Sequence, residues 1–246
     1  MKKERLKVIL IVCKFSIHLI FLLKRNMSNA QQVPSTSPNS QHRQKRFNVI
    51  MKLIDDVVAE KKSCRVIDLG GTPDYWQNFS AFQNRPEISV LVVNKDAYVS
   101  HDPRITCVVG DATDLSMYDN NAFDLVHSNS VIEHVGSWQN MQRMANEARR
   151  LAPVYYVQAP NYGFPYEFHT CMIGFHWLPK PVRRLLMRNF ACGHYPRARN
   201  ATEAAAYVED ANSMTGRQMR ELFSDAEIRR EKFFGLTKSW MAIREV

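Results

Sequence analysis

Four short polar segments carry the residue types best suited to chemistry in this sequence, and each follows a short apolar run. They are 68–74 (DLGGTPD), 94–96 (NKD), 110–114 (GDATD) and 128–134 (SNSVIEH). Each segment contains a carboxylate, which suits hydroxyl groups, an amine or a cation. A pyrophosphate would instead favour G-x-G-x-x-G at the start of a helix. The pattern therefore predicts a nucleoside-like ligand that bears positive charge.

The apolar runs before these segments are predicted strands. They are Cys64–Leu69, Ile88–Val93, Ile105–Val109 and Phe123–His127, and Val154–Gln158 is a fifth. Helical patterns alternate with them, one ending near Lys62 and one spanning about Ser130 to Leu151. Almost wholly apolar strands that alternate with helices predict a parallel sheet covered on both faces. In such sheets ligands bind beyond the carboxyl ends of the strands, so the four segments are expected to share one rim.

The end of the chain predicts a helix followed by two antiparallel strands. The helix is expected over Arg217–Phe223 and the strands over Ala226–Phe234 and Lys238–Arg244. The connection between these strands is too short for a crossover, so they must be antiparallel neighbours. The fold class predicted is therefore α/β, with a doubly wound, mostly parallel sheet of seven strands and an antiparallel last strand.

The positive charge of the chain is confined to its beginning. The formal net charge is +9, and all of this excess lies in residues 1–46. The remainder is balanced, so the charge does not indicate a nucleic-acid-binding domain. The five cysteines are widely spaced, with no C-x-x-C, which predicts free thiols in a reducing, cytoplasmic location.

Residues 1–26 form a basic, apolar leader with three open interpretations. The run Val8–Leu23 is interrupted by Lys14 and His18, which favours an amphipathic helix of residues 1–25 on an anionic membrane surface. A spanning anchor or signal segment is the second interpretation, and an upstream extension before a true start at Met27 is the third. Residues 27–42 predict a flexible linker, and residues 43–246 the folded domain.

Three motifs in this order give the domain a family resemblance. The segments VIDLGG, VVGDATDL and FDLVHSNSVIEHV resemble those of class I S-adenosylmethionine-dependent methyltransferases, in the small-molecule group called type 11. The resemblance implies a Rossmann-like fold, S-adenosyl-L-methionine as cofactor and methyl transfer (EC 2.1.1.-). For the methionine part of the cofactor it implies a loop shaped by Asp68, Gly70 and Gly71. It also implies that Ser128 and Asn129 line the methionine and sulfonium region.

The resemblance also implies contacts to the nucleoside. Asn94 takes the place where the family usually has an acid that binds the ribose hydroxyls. Asp111 would accept a hydrogen bond from the adenine amine, with the backbone of Ala112 beside the ring. Thr72 and Asp74 stand where the family usually has glycines, which puts cofactor affinity in doubt. The alternative is that Asp68 and Asp111 merely cap the following helices, which their joint position at consecutive strand ends disfavours.

Glu133 and His134 are the candidate catalytic bases for an alcohol acceptor. Adjacent residues on a helix point about 100° apart, so only one of them is expected to face the pocket. The run S-V-I-E-H also resembles the E-x-x-E-H of some quinone O-methyltransferases, in which two acids and a histidine hold a divalent ion. Ser130 replaces the first acid here, so no metal is predicted.

Residues 160–212 are too long for a simple loop and predict a substrate cap. Aromatic, imidazole and basic side chains dominate it. Its candidate substrate residues are Tyr162, His169, Arg183 and Arg184. The basic residues favour an acidic acceptor, and the family resemblance favours a small molecule methylated on a hydroxyl oxygen.

Three other functions remain open at this point. An RNA or protein methyltransferase is compatible with the basic cap. Methylation of a base amine or of cytosine C5 is disfavoured, because the segment after the fourth strand lacks N/D-P-P-Y/F and the chain has no Pro-Cys. A dehydrogenase is disfavoured by the glycine spacing. The third is a non-catalytic protein of methyltransferase fold. Thr72, Asp74 and Asn94 would explain how such a protein lost its affinity for the cofactor.

Overall fold

The computed structural model describes residues 41–210 and 212–245. The leader and residues 27–40 of the linker lie outside the described residues, so the predictions made for them stay predictions. The first helix, α1 (Gln41–Lys61), begins inside the segment predicted as linker. Among the described helices, none combines the length and the apolar composition that a membrane crossing requires.

Strands and helices alternate along the described chain. The strands are β1 (Cys64–Leu69), β2 (Ile88–Asn94), β3 (Ile105–Val109), β4 (Leu125–Asn129), β5 (Val154–Pro160), β6 (Tyr166–Glu167), β7 (Met172–Ile173), β8 (Glu227–Phe233) and β9 (Leu236–Arg244). The remaining helices are α2 (Pro73–Gln77), α3 (Ser80–Gln83), α4 (Trp138–Leu151), α5 (Lys180–Asn189), α6 (Ala201–Asp210) and α7 (Gly216–Leu222).

Seven of the described strands form one sheet in the order β3-β2-β1-β4-β5-β9-β8. The first five strands are parallel, and β9 runs antiparallel to both β5 and β8. The predicted fold class is therefore confirmed. The order reverses at β1, because β2 and β3 lie on one side of it and β4 and β5 on the other. In open sheets this reversal marks the crevice where ligands bind.

Two apolar cores cover the two faces of the sheet, as the apolar strands predicted. On one face α1, α2 and α3 bury side chains such as Phe47, Ile54 and Trp76. On the other face α4 and α7 bury Met144 and Met219 among others. β5 lies between the cores and is buried along its whole length. Burial on both faces makes the sheet a rigid support for the loops at its rim.

Two predicted elements around β4 differ from the structure. The strand lies two residues later than the predicted one, because the Phe123 amide donates to the Leu151 carbonyl instead of joining the sheet. The helix predicted from residue 130 begins only at residue 138. Gly136 has a left-handed φ of 89°, and Ser137 then caps the helix by accepting a hydrogen bond from the Asn140 amide at 3.2 Å.

Residues 160–212 contain the hairpin β6–β7, a 3-10 turn at Phe175–Trp177, and helices α5 and α6. They surround a small apolar core of their own, which includes Phe175, Met187 and Val208. Backbone hydrogen bonds tie the start of this segment to β9 and to Met214, before α7. The segment is thus attached at the carboxyl end of β5, above the rim that carries the polar loops.

Candidate active site

The loop after β1 is packed directly against the segment that follows β4. Gly70 has a left-handed φ of 74°, and a Cβ added there would lie 2.4 Å from Cγ1 of Val131. A Cβ on Gly71 would lie 1.8 Å from Oδ2 of Asp68, which folds under the loop. Both positions therefore exclude a side chain. The contact brings the glycine loop within a few residues of the candidate bases.

Asp68 is fully buried, and both of its carboxylate oxygens are engaged. Nε1 of Trp76 donates to Oδ2 at 2.8 Å, and Nδ1 of His127 lies 2.7 Å from Oδ1 and donates to it. Gly71 covers the carboxylate from the loop side. Asp68 thus lies beneath the glycine loop. Its side chain reaches inward to β4 and α2 instead of outward to the rim.

Asn94, at the end of β2, also supports the glycine loop. Its Nδ2 donates to the backbone carbonyls of Gly70 at 3.0 Å and Gly71 at 2.7 Å. Its Oδ1 accepts a hydrogen bond from the Asp96 amide at 3.1 Å. These bonds occupy the polar atoms expected to bind ribose. The carboxylate next to this turn belongs to Asp96, which is exposed at the rim.

Asp111 stands at the rim after β3 with one oxygen free for a ligand. Its Oδ1 accepts from the amide and the hydroxyl of Thr113, at 2.9 and 2.8 Å. These hydrogen bonds, and after them the charge of Lys95, hold the pKa of Asp111 below its usual range. Oδ2 lies 3.9 Å from Nζ of Lys95, beyond hydrogen-bond distance. The buried Ala112 follows, where the resemblance puts the adenine ring.

The end of β4 presents one engaged and one unengaged polar side chain. The Ser128 hydroxyl is buried and donates to the Leu69 carbonyl at 3.1 Å, so it braces β1. Oδ1 of Asn129 is buried and has no hydrogen-bond partner among the described residues. An unpaired buried acceptor is costly unless a ligand or water supplies a donor. Asn129 is therefore the residue of this pair that fits a ligand.

Glu133, His134 and His169 form a compact cluster between the rim and the cap. One ligand atom from each lies within 4.8 Å of the other two. Nε2 of His134 is 3.1 Å from Nε2 of His169. Glu133 is fully buried, and neither carboxylate oxygen has a hydrogen-bond partner in the described chain. Glu133 and His134 are adjacent in a 3-10 turn, and each contributes an atom to the cluster.

Each histidine of the cluster is held through its other nitrogen. Nδ1 of His169 lies 2.7 Å from Oε1 of Glu167, whose second oxygen accepts from the amide and hydroxyl of Thr170. Nδ1 of His134 lies 3.1 Å from the backbone carbonyl of Asp210 at the end of α6. Sequence reasoning missed both partners. The spacing Glu-x-His at 167–169 was a readable signal for one of them, whereas Asp210 is brought in only by the fold.

Burial and neighbouring charges shift the ionisation of this cluster. Burial raises the pKa of Glu133 to about 7. Burial and the nearby His169 lower the pKa of His134. Burial also opposes the charged form of His169, but the hydrogen bond and charge of Glu167 outweigh it and raise its pKa. Despite burial, hydrogen bonds from His169 and Thr170 lower the pKa of Glu167 to about 2.

The other predicted substrate residues lie on the cap. Tyr162 is partly exposed, and its backbone carbonyl accepts from Nε1 of Trp177 at 3.0 Å and lies 2.9 Å from Nε2 of His176. Arg184 pairs with Glu209 of α6 at 3.3 Å, so its charge is partly neutralised. Nε of Arg183 is buried and has no hydrogen-bond partner in the described chain. Arg183 is thus the better candidate for a negatively charged ligand.

Residues 86–153, from just before β2 to just after α4, match the family model described as Methyltransferase domain. This match agrees with the resemblance to class I S-adenosylmethionine-dependent methyltransferases seen in the sequence. It includes the rim segments after β2, β3 and β4, and the β1 loop precedes it. No curated protein is significantly similar in sequence to this chain.

Several solved structures resemble this chain at low sequence identity. A protein of an antibiotic biosynthesis pathway from Anabaena variabilis is 18% identical (TM-score 0.40, 62% of this chain, 64% of that one). An O-methyltransferase family protein from Burkholderia thailandensis is 14% identical (TM-score 0.45, 87% of this chain, 63% of that one). Magnesium protoporphyrin IX methyltransferase from Synechocystis, with bound S-adenosylmethionine, is 12% identical (TM-score 0.48, 92% of this chain, 91% of that one). The chain spans less than two thirds of the first two proteins.

A methyltransferase domain implies S-adenosylmethionine as the cofactor. The residues at the rim fit it at three places. Asn129 offers an unpaired buried oxygen for a donor such as the cofactor's amino group. Asp111 offers a free carboxylate oxygen beside the buried Ala112. Gly70 keeps the loop free of side chains. The departures noted in the sequence, Thr72 and Asp74, lie at the start of α2.

Proposed function

We propose that this protein is an S-adenosylmethionine-dependent methyltransferase that methylates a hydroxyl oxygen of a small, negatively charged molecule. The observation that carries the proposal is the cluster of Glu133, His134 and His169, which combines a buried carboxylate with two imidazoles. The cluster follows Val131, the residue in contact with Gly70 of the cofactor loop. An acid–base group in this position suits an acceptor whose proton must be removed.

The cofactor supplies a methyl group on a sulfonium, which is already activated. The protein therefore needs mainly to align the acceptor and exclude water. The cap serves this purpose, because it meets the rim at both ends of the cluster. His169 comes from its first part, and the backbone of Asp210 from its last helix. The Asn212 amide also donates to the Glu133 carbonyl at 3.1 Å.

The histidine pair is the proposed proton acceptor. Its imidazoles are oriented by Glu167 and by the Asp210 carbonyl, and Glu167 stabilises the positive charge that a transferred proton creates. Glu133 adds a buried carboxyl group beside the pair. Arg183, with its unpaired Nε, is the proposed contact for an anionic group of the acceptor, and Tyr162 and Arg184 complete the proposed substrate side.

Methyl transfer from labelled S-adenosylmethionine to a panel of extracted metabolites tests the proposal. Label is expected in an acidic metabolite, as a methyl ether on its hydroxyl oxygen. An analogue that lacks this hydroxyl should not be labelled. Label found only in RNA or protein would contradict the small-molecule acceptor. Binding of S-adenosylhomocysteine without transfer to any fraction would contradict the catalytic proposal.

A further inference from the structure

We infer that Glu133, His134 and His169 bind a divalent metal ion of the zinc class. The first step is an account of the protons on the two imidazoles. Nδ1 of each ring faces an oxygen that can only accept, the Glu167 carboxylate for His169 and the Asp210 carbonyl for His134. Each Nδ1 must therefore carry its proton, and a neutral ring then has a lone pair on Nε2.

The two Nε2 atoms face each other at 3.1 Å. Two lone pairs at this distance repel, so this arrangement favours a positively charged group between them. That group is either one proton, shared by an imidazolium and an imidazole, or a metal ion. Glu133 adds a fully buried carboxylate with no hydrogen-bond partner in the described chain. A single shared proton leaves this carboxylate unsatisfied, whereas a divalent ion would engage all three side chains.

The spacing of the two imidazoles agrees with metal ligation, whereas the Glu133 carboxylate, which lies within 4.8 Å of them, would have to move closer to complete the ligand set. Zinc–nitrogen bonds of about 2.0–2.1 Å in a tetrahedral site place two ligand nitrogens about 3.3 Å apart, close to the observed 3.1 Å. Metal-binding histidines characteristically donate their second N–H to a carboxylate or a backbone carbonyl, and His169 and His134 show one case of each. Two imidazoles and one carboxylate are donors that zinc and similar ions prefer.

This ligand set differs from the E-x-x-E-H pattern considered in the sequence. The prediction of no metal rested on Ser130, which stands in place of that pattern's first acid. Its hydroxyl instead donates to Oε1 of Gln158 at 2.8 Å and takes no part in the cluster. The third donor is supplied by His169 from the cap, 35 residues after His134. The proposed ion would therefore be held by residues of both the rim and the cap.

Three protein ligands leave an open position on a tetrahedral ion. An acceptor hydroxyl bound there would have a lowered pKa and release its proton to solvent, so the ion would take over the proton-removing role that the histidine pair has in the metal-free site. This role rests on the proposed methylation of a hydroxyl. Binding of the ion does not, and it is measured without any methyl-transfer assay.

The test is calorimetric titration of the metal-free full chain with Zn²⁺ alone. One ion is expected to bind per chain with a Kd in the micromolar range or below, and to raise the Tm. His134→Ala and His169→Ala should each weaken binding at least about 100-fold, and Glu133→Gln about 10-fold or more. The matched control is His194→Ala. His194 lies 4.0 Å from Cys171 at the surface and is the competing thiol–imidazole pair.

Wild-type affinity in His194→Ala supports the inference. Absence of stoichiometric binding to the wild type, or loss of binding in His194→Ala but not in His134→Ala, would overturn it. Circular dichroism of the metal-free variants identifies any that do not fold, and His134→Gln replaces His134→Ala in that case. Binding of S-adenosylhomocysteine is measured on the same samples. Zn²⁺ binding without methyl transfer would reject the proposed function alone, and methyl transfer without Zn²⁺ binding would reject only this inference.

Discussion

A double-mutant cycle can test whether the β1 loop rests on the segment after β4. Gly70→Ala imposes two separable costs. A left-handed φ of 74° costs an alanine about 1–2 kcal/mol. The new Cβ would also lie 2.4 and 2.6 Å from the two γ-methyl groups of Val131. Overpacking of this kind adds roughly 1–3 kcal/mol. We therefore expect Gly70→Ala to lower the free energy of unfolding by about 2–5 kcal/mol.

Gly235 provides the matched control, since it has a similar φ of 81° and no atom within 4 Å of an added Cβ. Gly235→Ala should cost only the backbone strain. In a Val131→Ala background the γ-methyl groups are gone and the nearest remaining atom, Cβ of residue 131, would be 3.1 Å away. Gly70→Ala should then cost about as much as Gly235→Ala, which gives a coupling of about 1–3 kcal/mol. Urea unfolding of each variant measures these values. Additive effects, or equal costs for Gly70→Ala and Gly235→Ala in the wild type, would refute the contact.

Three further predictions concern single side chains. Trp76→Phe removes one buried donor to Asp68 and should lower the free energy of unfolding by about 1.5–3 kcal/mol. Asp68→Ala leaves the two donors, Trp76 and His127, unpaired and should lower it by roughly 3–5 kcal/mol. Unfolding midpoints that stay at the wild-type value would contradict these hydrogen bonds. His134→Ala should reduce kcat far more than it weakens S-adenosylhomocysteine binding, and an unchanged kcat would reject its role in proton transfer. Arg183→Ala should raise the KM for an acidic acceptor by an amount that shrinks at high salt. Arg184→Ala should raise this KM by a smaller amount, because Arg184 already pairs with Glu209. Salt-independent KM values for both variants would support a purely structural role.

The sheet could be predicted because its signal is local. Strands such as Cys64–Leu69 and Ile105–Val109 are short apolar runs flanked by polar turns, and they appear with the predicted bounds. The fourth strand was displaced by two residues, since its polar end at Ser128 and Asn129 is held by pairing with β5. Pairing between strands distant in sequence leaves no mark in the local pattern.

The site was predictable only in part. The sequence identified Glu133, His134 and His169 separately, but assigned the first two to catalysis and the third to substrate. Their meeting depends on how the cap folds back onto the rim, which local patterns do not specify. Likewise, Asp68 stands at the expected place, whereas the direction of its side chain is set by Trp76 and His127.

A crystal structure of the protein with S-adenosylhomocysteine tests the central claim most directly, namely that the rim loops form one cofactor site facing the histidine cluster. The account predicts adenine beside Asp111 and Ala112, the amino-acid part between Gly70 and Asn129, and the sulfur directed toward His134. A ligand bound away from the rim, or one whose sulfur points away from His134, would contradict it.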